Sequence, residues 1–126
     1  KGGNRMSFSV LMVVGDRKGR VGVGLGKATD VTSAMRKASS YAQRHLITVP
    51  MRGSTIPHEI RVKVGAARII IKPAPAGTGV IAGGAVRAVV EAAGIRDIVS
   101  KILGTKNRAS NVHATFEALK QLRQIV

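Results

Sequence analysis

Arg20-Val21-Gly22-Val23-Gly24-Leu25-Gly26-Lys27 is the stretch that decides how this chain folds. Its apolar residues fall at every second position, and a period of two is that of a β-strand. The three glycines share the opposite face, which is therefore flat and bare and lets another backbone come close. Upstream, Met6-Ser-Phe-Ser-Val-Leu-Met-Val-Val-Gly15 is apolar and rich in β-branched residues, the signature of a second strand. Between them, Asp16-Arg17-Lys18-Gly19 has Asp at the first and Gly at the last position of a tight turn. The two strands make a hairpin with a basic tip.

A helix follows. Thr29 or Asp30 can cap it, and Val31, Ala34, Met35, Ala38, Ala42 and Leu46 recur at helical spacing along one side. Arg36, Lys37, Ser40 and Arg44 fall within about 100° of one another on the other side. Such a helix packs its Ala-rich face on a sheet and turns its cations outward; an ordinary solvated face has the same pattern. Val49-Pro50 to Ile56-Pro57 interrupts the chain with prolines and a glycine, dividing it into units 1–49 and 50–126. In the second unit Glu59–Val64 and Ala67–Ile71 form another hairpin around Gly65, ended by Pro73 and Pro75. Gly77-Thr78-Gly79 leads into an apolar helix over Ile81–Ala93, which Gly94 stops. Ile95–Leu103 reads as a strand. Asn111–Val126 reads as a closing helix whose inner stripe is Val112, Thr115, Phe116, Leu119, Leu122 and Val126. The order ββα, then ββαβα, is α+β.

The 126 residues carry 21 Lys and Arg against 6 Asp and Glu, a net charge of +15. Residues 1–49 hold +7 of it and residues 50–126 hold +8, so the charge runs through both units instead of sitting in a tail. Self-repulsion on that scale calls for a polyanion, and the even spread fits a large folded RNA better than one linear duplex. A hydrophobic share of 44% excludes a disordered basic tail. The absence of cysteine removes disulfides, thiolate metal sites and cysteine nucleophiles together. There is no run of 18 apolar residues to cross a membrane and no secretion-signal pattern at the start.

Catalytic motifs fail on their details. Gly22–Ala28 lacks the first glycine and the hydroxyl residue of a nucleotide loop. Gly77-Thr-Gly79-Val-Ile-Ala82, with Asp97 eighteen residues after Gly79, fits a loose dinucleotide fingerprint. Two prolines separate it from the preceding strand, however, whereas a dinucleotide fold needs a crossover in a parallel sheet with further βα units. Its amides, at the start of a helix, remain able to hold an anion or a partner's carboxylate. His45, His58 and His113 have no metal-ligand spacing, and no carboxylate pair stands out. No catalytic residue, metal or cofactor is expected, and the chain does not read as an enzyme. Among nucleic-acid binders, those that read single strands stack bases on aromatic residues. Phe8 and Phe116 lie in apolar patterns and only Tyr41 is open, which favours contacts to phosphate and shape.

Lys1-Gly-Gly-x-Arg5-x-Ser7-Phe8 and Val13-Val14-Gly15-Asp16-x-x-Gly19-x-Val21-Gly22-x-Gly24-x-Gly26-Lys27-Ala28 resemble the bacterial-type ribosomal protein five family of the small subunit. Thr55-Ile56-Pro57-His58 and Gly77-Thr78-Gly79-Val80-Ile81-Ala82-Gly83-Gly84-Ala85-x-Arg87-Ala88-Val89 extend the resemblance over nearly the whole chain. It implies a double-stranded-RNA-binding-like N-terminal domain, lacking here the family's lead-in helix and strand. It also implies a C-terminal α+β domain with a left-handed βαβ crossover. The implied role is non-catalytic: binding small-subunit rRNA at the junction of head and body, beside the channel through which mRNA enters, and supporting accurate decoding. The implied partners are rRNA, mRNA and ribosomal proteins four and eight, and the implied place is a ribosome of bacterial cytoplasm, plastid or mitochondrion. Lys1, Gly2, Gly3 and Arg5 match the loop where spectinomycin resistance arises, and Gly79 and Arg87 lie toward protein four. The residues expected to meet rRNA or mRNA are therefore Lys1, Gly2, Gly3, Arg5, Arg17, Lys18, Arg20, Gly22, Gly24, Lys27, Arg36, Lys37 and Arg44. A free-standing double-stranded-RNA-binding regulator is the alternative. Two positions depart from the family: Asn107-Arg108 replaces its Asn-Pro, and His113 replaces an Arg.

Overall fold

A computed structural model of the chain describes residues 7–123. The alternation read from the sequence becomes β1 (Phe8–Gly15) and β2 (Arg20–Ala28), an antiparallel pair in which Met12 faces Gly24 and Val14 faces Gly22. Helix α1 (Val31–Arg44) follows, capped by Asp30, whose carboxylate accepts from Ser33 N at 3.3 Å. A two-residue strand, β3 (Ile47–Thr48), returns antiparallel to β2 and completes a three-stranded sheet in the order β1-β2-β3.

The second sheet has the order β4-β5-β7-β6. β4 (Ile60–Val64) and β5 (Ala67–Pro73) are the expected hairpin, and β7 (Ile98–Ile102) lies antiparallel to β5. β6 (Val80–Ile81) is parallel to β7 and is joined to it through helix α2 (Gly84–Ala93). Residues 80–81 are therefore strand, not the first turn of the helix, which starts at Gly84. Helix α3 (Arg108–Gln121) begins three residues earlier than its apolar pattern because Asn107 caps it, accepting from Ser110 N at 2.9 Å.

Helices α2 and α3 pack on each other and fill the space between the sheets. Val21 and Val23 of the first sheet join Val86, Val89 and Val90 of α2 and Ile69, Ile71 and Ile98 of the second sheet in one buried cluster. The units before and after Pro50 thus share a core. α1 covers the other face of the first sheet, and among the described residues no element covers the outer face of the second sheet.

The inner face of α1 is narrower than its pattern. Ala34, Ala38 and Ala42 are buried, whereas Val31, Met35 and Leu46 are exposed. The cause is the bare strand beneath. Gly26, Gly24 and Gly22 lie against the backbone carbonyls of Ala34, Ala38 and Ala42 in turn. Two residues of strand advance about 6.6 Å and four of helix about 6 Å, so the two repeats run in step. At that distance only Ala fits between helix and sheet, and larger side chains are displaced to the flanks.

Candidate nucleic-acid interface

The turn between β1 and β2 is organised by one carboxylate. Asp16 Oδ1 accepts from Lys18 N at 2.8 Å and Arg20 N at 3.1 Å, and Oδ2 accepts from Arg20 Nε at 3.0 Å. The Lys18 amide foremost, and then the Arg20 side chain, pull the Asp16 carboxyl down to about 2. The tip is docked instead of projecting. Arg17 N donates to Ala92 O at 3.0 Å and Gly19 N to Ala93 O at 2.8 Å, closing the C-terminal end of α2 whose carbonyls lack helical partners. Gly94, with φ 93°, ends that helix directly against the Arg17 carbonyl, where no side chain fits. Arg17 and Lys18 keep exposed side chains near the negative end of α2. Arg20 is paired with Asp16.

Gly22 and Gly24 require a correction. They are buried under α1 and cannot offer their amides to a phosphate. The bare face does meet a backbone, but it is that of the chain's own helix.

Among the described residues the outward cations of α1 make no ion pair. Arg36, Lys37 and Arg44, with Ser40, are all exposed. Lys37 Nζ donates to Lys27 O at 3.3 Å, which joins the helix face to the end of β2 and its exposed Lys27. On the flank of this face Tyr41, 46% exposed, stacks on His45 with ring centroids 3.9 Å apart. The four-residue spacing of Tyr41 and His45 was the available signal for that pair. Lys1, Gly2, Gly3 and Arg5 lie outside the described residues.

Gly79 lies beside the segment that follows α2, its carbonyl accepting from Ile98 N at 3.0 Å, and Arg87 stands in the first turn of the helix. The loop amides there already hold an anion, the chain's own Asp97. Its Oδ1 accepts from Gly79 N at 2.9 Å and Gly77 N at 3.1 Å, and Ser54 Oγ donates to its Oδ2. Led by the Ser54 hydroxyl, these bonds hold the buried Asp97 carboxyl below its ordinary range. The motif that resembled a dinucleotide loop is thereby occupied from within. Arg87 is half exposed, donating to Val80 O at 2.9 Å and lying 3.6 Å from Glu91. Among the described residues no three His, Asp or Glu side chains are grouped to hold a metal, and no helix is long and apolar enough to cross a membrane.

These features define a basic two-sheet α+β protein whose glycines and best-placed carboxylates serve its own architecture, leaving cations as its outward chemistry. Residues 1–50 match the family model described as ribosomal protein S5, N-terminal domain, and residues 62–126 match ribosomal protein S5, C-terminal domain. The small ribosomal subunit protein uS5 of Thermus thermophilus is 54% identical over 122 residues, covering 97% of this chain and 75% of the relative. That of Syntrophobacter fumaroxidans is 54% identical over 125 residues, covering 99% and 75%. The chain belongs to the ribosomal protein S5 family.

Proposed function

We propose that the chain is a structural component of the small ribosomal subunit that holds small-subunit rRNA by neutralising phosphates. The observation that carries this reading is the continuous exposed surface of Arg36, Lys37, Arg44 and Lys27, joined by the Lys37–Lys27 hydrogen bond. Arg17 and Lys18 add charge at the docked turn, and the Lys1–Arg5 segment extends the cationic sequence. The family resemblance supports a position at the junction of head and body beside the path of mRNA, with ribosomal proteins four and eight as neighbours. Gly79 and Arg87 are the residues assigned to protein four, where they would bear on decoding accuracy. The host ribosome is that of a bacterial cytoplasm or an organelle.

Six phosphate contacts give log affinity a slope of roughly −4 to −5 against log salt. A slope near zero on a small-subunit rRNA fragment refutes the electrostatic mechanism. Sedimentation separates the alternative: a ribosomal component travels with small subunits, and a free-standing regulator of duplex RNA does not.

A further inference from the structure

The outer face of the second sheet presents an array of cations that nothing in the described chain covers. α2 and α3 take its inner face, where Val62, Ile69, Ile71 and Ile98 are buried. On the outer face the register sets Arg61 opposite Ile70, Ile70 opposite Lys101, and Lys63 opposite Arg68. Ile70 therefore has a cation on each of its four sides: Arg61 and Lys101 across the sheet, Arg68 and Lys72 two residues away along its own strand. All four are exposed, and so is Lys63. With strands about 4.8 Å apart and a rise of about 3.4 Å per residue, the five charges occupy a patch of roughly 10 by 14 Å.

Intramolecular partners do not balance this array. Glu59, at its margin, meets Arg61 at 3.0 Å. The other ion pairs among the described residues join Asp16 to Arg20, Glu91 to Arg87 and Glu117 to Lys120, all elsewhere. Like charges directly opposite weaken a sheet, and Lys63 and Arg68 are such a pair. A merely solvated face intersperses both signs.

Charge density decides the occupant. A nucleic-acid duplex carries about one negative charge per 1.7 Å of axis, so 14 Å of it brings about eight. An extended acidic peptide places same-side carboxylates about 6.8 Å apart and brings two or three over that length. The groove along Arg61, Lys63, Arg68 and Leu103 is also shallow, about 260 Å³, a shape suited to a backbone laid across it.

We propose that this face is a second RNA-docking surface that takes the sugar-phosphate backbone of an rRNA helix. It is separate from the α1 surface, with the shared core between them, so the protein clamps two RNA segments. The proposal rests on the rRNA-binding reading above.

The chain has no cysteine, which permits a directed test. Lys101→Cys and Ser40→Cys are made in this chain, each is fitted with an iron chelate that releases hydroxyl radicals, and each is assembled into small subunits. Cuts from position 101 in an rRNA segment different from that cut from position 40 support the clamp. Silence at 101 with cutting at 40 overturns the second surface and leaves the rRNA reading intact. Identical cuts from both positions, or cross-linking from 101 to a protein in place of RNA, also overturn it. Silence at both overturns the rRNA reading and this proposal with it. Independently, Lys63→Gln/Arg68→Gln/Lys101→Gln lowers the salt slope by about 2 to 3, since each phosphate contact is worth 0.7 to 0.9. An unchanged slope in a folded triple variant counts against the surface.

Discussion

Gly24→Ala adds one methyl to the seam between β2 and α1. The new carbon would stand 2.8 Å from Ala42 N and closer still to the Ala38 carbonyl oxygen. Carbon contacts are comfortable from about 3.5 Å, so the helix has to retreat by close to 1 Å. A gap of that width forfeits a quarter to a half of each dispersion contact along the seam. Overpacking usually costs about 1–3 kcal/mol, and relief normally comes from side chains changing rotamer. Here both surfaces are backbone and Cβ, with no rotamer to change, so the upper end, about 3 kcal/mol, applies. For a chain of this size that lowers Tm by roughly 12 °C. The matched control is Gly84→Ala, where the added carbon meets nothing within 4 Å at the start of α2. There the change is neutral or raises stability by about 0.5–1 kcal/mol, because alanine favours the helix. Thermal unfolding followed by far-UV circular dichroism measures both. A Gly24→Ala protein melting within about 3 °C of its parent refutes the rigid-seam account.

Asp16 and Asp97 both have carboxyls held below their unfolded values, so each contributes stability above pH 4 that is lost as pH falls through its folded value. For Asp16 the window is pH 4 down to about 2, and urea midpoints of Asp16→Asn should fall less steeply across it than those of the parent; parallel curves count against the role given to Asp16. Arg87→Ala should raise misreading in an in vitro translation assay with little change in rRNA affinity. A loss of affinity without misreading moves Arg87 to the RNA surface.

Long, strongly patterned elements were readable before the structure: both hairpins, α1 with its cap narrowed to Thr29 or Asp30, and the glycine that ends α2. β3 and β6 were not, since two residues carry no period and each exists only by pairing with a strand distant in sequence. The apolar residues Ile81 and Ala82 continue the pattern of α2 smoothly, and only the parallel pairing of Ile81 with Val99 takes β6 out of the helix. Val31, Met35 and Leu46 match the helical period of the buried alanines but lie where a glycine-flat sheet leaves no room. At the site, exposed cations on α1 followed from periodicity. The burial of Gly22 and Gly24, the capture of the loop amides by Asp97 and the docking of the basic turn did not, because each depends on which distant segment arrives opposite.

The docked turn has a consequence for how the chain is made. Arg17 waits for Ala92, 75 residues later. At about 5–20 residues per second, synthesis of that interval takes roughly 4 to 15 seconds. Throughout it the first hairpin has no helix end to close and no cover for Val21 and Val23. The contacts that close the end of α2 and seat the turn cannot form until Gly94 has left the synthesising ribosome.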